Sequence, residues 1–128
     1  MNANAPRRIL LVEDDPDLSQ LFVDLFDSRG FAVSRASNGR DALDQIVAGA
    51  FDVVLTDIYM PEMDGLEFIR ECRLIDKNVA LIAISGGGST FDLDMLPLAK
   101  RMGANAVLRK PVKVDQLIQA VEDALAGR

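Results

Sequence analysis

Apolar residues recur along this chain in two rhythms. Five short runs are almost uninterrupted: RILLV at 8–12, AVSRA at 32–36, DVVLT at 52–56, VALIAI at 79–84 and AVL at 106–108. A strand that is apolar without alternation is buried on both faces, as in a parallel sheet covered by helices. Between the runs the spacing changes to three and four residues. Leu18, Leu21, Phe22, Leu25 and Phe26 form one such set; Ala42, Leu43, Ile46 and Val47 a second; Leu66, Ile69 and Leu74 a third; and Leu117, Ile118, Val121 and Leu125 a last one. Each set is the apolar stripe of a helix. Gly30, Gly49 and Gly103 fall where helices should stop. The alternation predicts an α/β fold, a three-layer sandwich with a parallel sheet. One domain is expected over residues 8–126 after a tail of residues 1–7, with no linker, repeat or output domain.

Open parallel sheets bind ligands at the carboxyl ends of their strands. The residues that fall there are Glu13, Asp14 and Asp15 after the first strand, Asp57 after the third, Ser85 after the fourth, and Lys110 with Pro111 after the fifth. Two carboxylates about 4 Å apart repel by roughly 4 kcal/mol at an effective dielectric near 20, so a cluster of Glu13, Asp14 and Asp57 needs a cation. The chain has no histidine and one cysteine. Oxygen donors alone favour Mg2+ over zinc or copper, and magnesium in turn favours a phosphate oxygen as a further ligand. Asp15 plays a different part. Followed by Pro16, it suits the N-cap of the first helix. Taken alone, the three acids fit a capping and solvated loop cluster equally well. Asp57, Ser85 and Lys110 tilt the balance toward a site.

Composition narrows the function classes. At 128 residues and 49% hydrophobic content the chain can bury a substantial core. A net charge of -6, with no Lys or Arg run longer than a pair, argues against sequence-independent binding to nucleic acid or anionic membranes. No apolar stretch reaches the roughly 18 to 20 residues that span a bilayer, and the leader MNANAPRR lacks the apolar core of a secretory signal. No membrane insertion and a cytoplasmic location are expected. Without histidine, Ser-His-Asp and Cys-His catalysis are excluded from this chain alone. Cys72 reads as a small core residue.

Four motifs in order carry a resemblance: LVED at 11–14, DIYMPEMDG at 57–65, AISG at 83–86 and GANAVLRKP at 103–111. Together they resemble the response-regulator receiver domains of two-component signalling, over essentially the whole length. The resemblance implies a flavodoxin-like receiver fold, with five strands in the order 2-1-3-4-5 and five helices. It implies that Asp57 accepts a phosphoryl group from a histidine kinase or histidine phosphotransfer protein, the domain assisting its own phosphorylation and dephosphorylation without being an enzyme. Phosphorylation would then govern binding to a downstream protein target. By the family pattern Asp14 and Asp57 ligate magnesium directly, Glu13 acts through water, and the backbone carbonyl of Tyr59 supplies a further oxygen. Lys110 would pair with Asp57 and later with the phosphoryl group, through a cis Lys110-Pro111 bond, and Ser85 would be the switch hydroxyl.

Other classes fit less well. A haloacid dehalogenase-type, magnesium-dependent phosphatase needs a second acid two positions after the nucleophile, where this chain has Tyr59. A nucleotide-binding sheet would carry Gly, Ser or Thr after the first strand, not Glu13 and Asp14. A degenerate receiver acting only as a binding adaptor would not need Asp14, Asp57, Ser85 and Lys110 together. Two departures from the family pattern stand out. The segment GGGSTFDLD, residues 86–94, is long and glycine-rich; either Asp94 caps a late helix with Pro97 in its first turn, or a longer helix kinks at Pro97. Val107 stands where receivers often have an aromatic ring that reports the switch, so the output route is expected through residues 86–94 instead.

Overall fold

The computed structural model describes residues 5–58, 63–85 and 97–127. The strands are β1 (Arg8–Val12), β2 (Ala32–Ala36), β3 (Val53–Asp57), β4 (Ala80–Ser85) and β5 (Ala106–Arg109). The helices are α1 (Pro16–Ser28), α2 (Gly39–Ala48), α3 (Gly65–Ile75), α4, whose described part is residues 97–102, and α5 (Val114–Ala126). All strand pairs are parallel, in the order β2-β1-β3-β4-β5. The expected sheet order and helix count are therefore present. Each parallel crossover runs through a helix.

Alternate residues of the central strands feed two cores. Ile9, Leu11, Val53, Leu55, Ile82 and Ile84 pack with Phe22 and Phe26 of α1 and Leu117 and Val121 of α5. Leu10, Val12, Val54, Leu81 and Ala83 pack with Ala42 and Ile46 of α2, Phe68, Ile69 and Cys72 of α3, and Ala99 of α4. Burial on both faces is why these strands are continuously apolar. Three members of the predicted stripes are turned outward: Leu21, Val47 and Leu74 are 61%, 70% and 73% exposed. The helical period admits them, but neighbouring turns of the same helices fill the available core.

The ends of the elements follow local chemistry. Asp15 caps α1, its side chain accepting from the N–H groups of Asp17 and Leu18, with Pro16 in the first turn. Gly30 and Gly103 adopt φ of 88° and 126°, the left-handed region that glycine enters without a Cβ clash. Gly49 ends α2 with extended backbone, which any residue adopts. Pro97 is helical. The expected Asp94 cap and the segment 86–94 lie outside the described residues.

Candidate functional site

The sheet carries five of the expected residues to one edge. β1 runs directly into Glu13 and Asp14; the Glu13 N–H donates to the Ala36 carbonyl at 3.0 Å, extending the ladder one residue past the strand. Asp57 closes β3 and Ser85 closes β4, and the register pairs Asp57 with Ile84. Both strands thus end one residue later than their apolar runs, which is what places a carboxylate and a hydroxyl at the rim. Lys110 follows β5, its N–H donating to the Ser85 carbonyl at 2.8 Å. The Lys110–Pro111 peptide is cis.

One carboxylate oxygen each from Glu13, Asp14 and Asp57 lies within 4.8 Å of the others. Glu13 and Asp57 are buried, whereas Asp14 is exposed. The Lys110 ammonium sits among them, donating to Asp57 Oδ2 at 2.9 Å and pairing with Glu13 Oε1 at 3.5 Å. The second Glu13 oxygen accepts from the Asp14 N–H at 3.1 Å. One cation against three acids leaves a surplus of negative charge, and the site registers it. Burial pushes the Glu13 carboxyl up to about 7, with the adjacent Asp57 charge adding to the rise and Lys110 opposing it. Burial disfavours the Lys110 ammonium, but its bond to Asp57 and the charges of Asp57 and Glu13 outweigh that, holding its pKa above 10.5. A hard dication suits an oxygen-only donor set with unneutralised charge, so these residues fit magnesium. The Tyr59 carbonyl lies outside the described residues.

Gly65 is part of this site although its residue type offers no chemistry. A Cβ there would stand 2.4 Å from Ile58 Cα and 2.7 Å from the Asp57 carbonyl oxygen, and the Gly65 N–H donates to the Ile58 carbonyl at 2.6 Å. The start of α3 is thereby packed onto the backbone that carries Asp57. The sequence signal was the Asp64-Gly65 pair at a helix start, where Asp64 caps by accepting from the Glu67 N–H at 2.9 Å.

Residues 9–122 match the family described as the response regulator receiver domain. The chain belongs to that family. The receiver is 33% identical over 118 residues to sporulation initiation phosphotransferase F of Bacillus subtilis, covering 92% of this chain and 93% of that protein. Longer transcriptional regulators also match, with the receiver spanning 26% to 27% of their length. Among solved structures, a response regulator receiver domain from Clostridium thermocellum superposes with a TM-score of 0.86 at 32% identity, covering 94% of this chain and 95% of that one. The receiver domain of sensor histidine kinase PA1611 from Pseudomonas aeruginosa superposes with a TM-score of 0.85 at 27% identity, over 95% and 99% of the two chains; that structure has a magnesium ion coordinated in its active-site cleft. This chain is therefore a receiver of two-component signalling. Among its described residues no helix is long and apolar enough to cross a membrane.

Proposed function

We propose that this receiver takes a phosphoryl group from the phosphohistidine of a histidine kinase or phosphotransfer protein onto Asp57, and that phosphorylation controls its binding to a downstream protein. The observation that carries the reading is the buried Asp57 carboxylate held at 2.9 Å by Lys110 within a three-acid cluster. An oxygen of Asp57 attacks phosphorus; the new P–O bond forms as the P–N bond to imidazole breaks, and the imidazole leaves with the electron pair and takes up a proton. Asp14 and Asp57 would hold magnesium directly, Glu13 through water and the Tyr59 carbonyl as a further ligand. When bound, the metal supplies neutralisation of the phosphoryl oxygens.

Lys110 orients the Asp57 carboxylate through their 2.9 Å bond before transfer, and its ammonium is placed to move onto a phosphoryl oxygen afterwards. Ser85, buried at the end of the adjoining strand, is assigned the hydroxyl that follows the phosphoryl group. Incubation with acetyl phosphate and magnesium should label the wild type and leave Asp57→Asn unlabelled. Persistent labelling of that variant would remove Asp57 from its role.

A further inference from the structure

Thr56 interrupts an aliphatic surface. The face of β1, β3 and β4 beneath α2 and α3 presents Leu10, Val12, Val54, Leu81 and Ala83, and strand alternation sets Thr56 among them, fully buried. Valine has the same shape. It would fill the position without the cost of burying a hydroxyl, which only a hydrogen bond offsets, so the polar residue asks for a use. Thr56 Oγ1 donates to the carbonyl oxygen of Asp57 at 3.0 Å.

The peptide that follows Asp57 is therefore held at both ends. Its carbonyl, that of Asp57, takes the Thr56 hydroxyl, and its N–H, that of Ile58, donates to the Ile84 carbonyl at 2.9 Å. It cannot turn without straining one bond. The first turn of α3 closes on the same carbonyl, where a Cβ at Gly65 would come within 2.7 Å of the oxygen. Turning this peptide would swing the Cα–Cβ direction of Asp57, and with it the carboxylate that meets Lys110 at 2.9 Å.

We propose that Thr56 is a positioning residue for transfer to Asp57: its hydroxyl fixes the Asp57–Ile58 peptide and, through it, the direction in which the carboxylate meets the phosphoryl donor. The proposal rests on Asp57 being the acceptor. Alternation sends Asp57 to the side of Leu55 and Thr56 to the side of Val54, so Thr56 acts through the backbone and not on the reacting atoms.

Two variants separate the hydroxyl from the methyl group. Thr56→Val keeps the shape and removes the donor, whereas Thr56→Ser keeps the donor and removes a core methyl. With acetyl phosphate and magnesium, followed by intact mass, Thr56→Val should lower the saturating rate of phosphorylation roughly 10-fold with the half-saturating concentration unchanged, because misplacing a reacting group costs turnover and not binding. Thr56→Ser should keep the wild-type rate, even where its melting temperature falls below that of the valine variant. Thr56→Ala, which also lacks the hydroxyl, should match the valine variant in rate and guards against a valine variant that does not fold. Amide exchange at Ile58 in the unphosphorylated protein should quicken in Thr56→Val and not in Thr56→Ser. A serine variant as slow as the valine variant, a valine variant at the wild-type rate, or Ile58 exchange indifferent to the hydroxyl would each overturn the role of Thr56 and leave Asp57 in place. Labelling of Asp57→Asn would overturn both assignments together.

Discussion

At the scale of single residues, Glu13 most sharply reports the balance of charge. Its carboxyl titrates near 7 in the folded protein, against 4.5 ordinarily, because burial and Asp57 both disfavour its charge. The folded state therefore binds the proton more tightly than the unfolded state, and the metal-free protein loses stability as pH rises from about 4.5 through about 7. A rise of that size corresponds to on the order of 3 kcal/mol. Lys110 does not contribute in that window, since its raised pKa keeps it charged until pH exceeds 10.5. Urea denaturation in chelator from about pH 5 to 8 should show wild-type stability falling, and Glu13→Gln should flatten the fall. An unchanged slope in the variant would place the titration elsewhere. Cys72 stands apart: burial pushes its thiol up to about 11, which makes it inert packing in the α3 core.

At the scale of elements, α1 does two things with one stripe. Phe22 and Phe26 are buried in the core, while Leu21 is left outward. Leu21 lines an apolar groove of about 350 Å³ with Leu18, Pro111, Val112, Val114 and Leu117, beside Lys110. Because Lys110 both lines this groove and bonds Asp57, a phosphodonor of the proposed kind would cover the rim, which would give the exposed leucine a use that folding does not require. Leu21→Asp should leave thermal stability and acetyl phosphate labelling essentially unchanged, yet slow transfer from a phosphorylated donor. Loss of a contact worth about 1–2 kcal/mol corresponds to roughly a 5- to 30-fold slower transfer. Equal rates from the donor would show that α1 is not at that interface.

Across the whole molecule, the site opposes the fold that builds it. The two cores hold β1 and β3 side by side, in register from Ile9 with Val53 to Val12 with Thr56, so the acids that follow cannot separate. Their repulsion subtracts from stability until a cation binds. Magnesium should raise the melting temperature, since a ligand that binds only the folded state stabilises it by mass action. In chelator, Asp57→Asn should melt above wild type, by on the order of 3–6 °C for a relief of about 1 kcal/mol. A melting point at or below wild type, in a variant of equal compactness, would show that the cluster carries no strain.

The linear order of residues was sufficient for much of this. Continuous apolar strands alternating with helical stripes determined the α/β class, because burial on both faces leaves no room for polar alternation. The Asp15-Pro16 start of α1 and the turns at Gly30 and Gly103 were equally legible, because capping and left-handed backbone are local requirements. Glu13, Asp14, Asp57, Ser85 and Lys110 could be placed at strand ends for the same reason. What the chain alone left open depends on contacts between distant segments. Whether the acids were solvated caps or one charged cluster was settled by the parallel register of β1 and β3, which brings their oxygens within 4.8 Å. Leu21, Val47 and Leu74 share a helical period with core residues, and only the packing of neighbouring elements excluded them from the core. The demand for glycine at position 65 arises from the Ile58 backbone lying against it. That closeness exists only once α3 has folded back onto the end of β3.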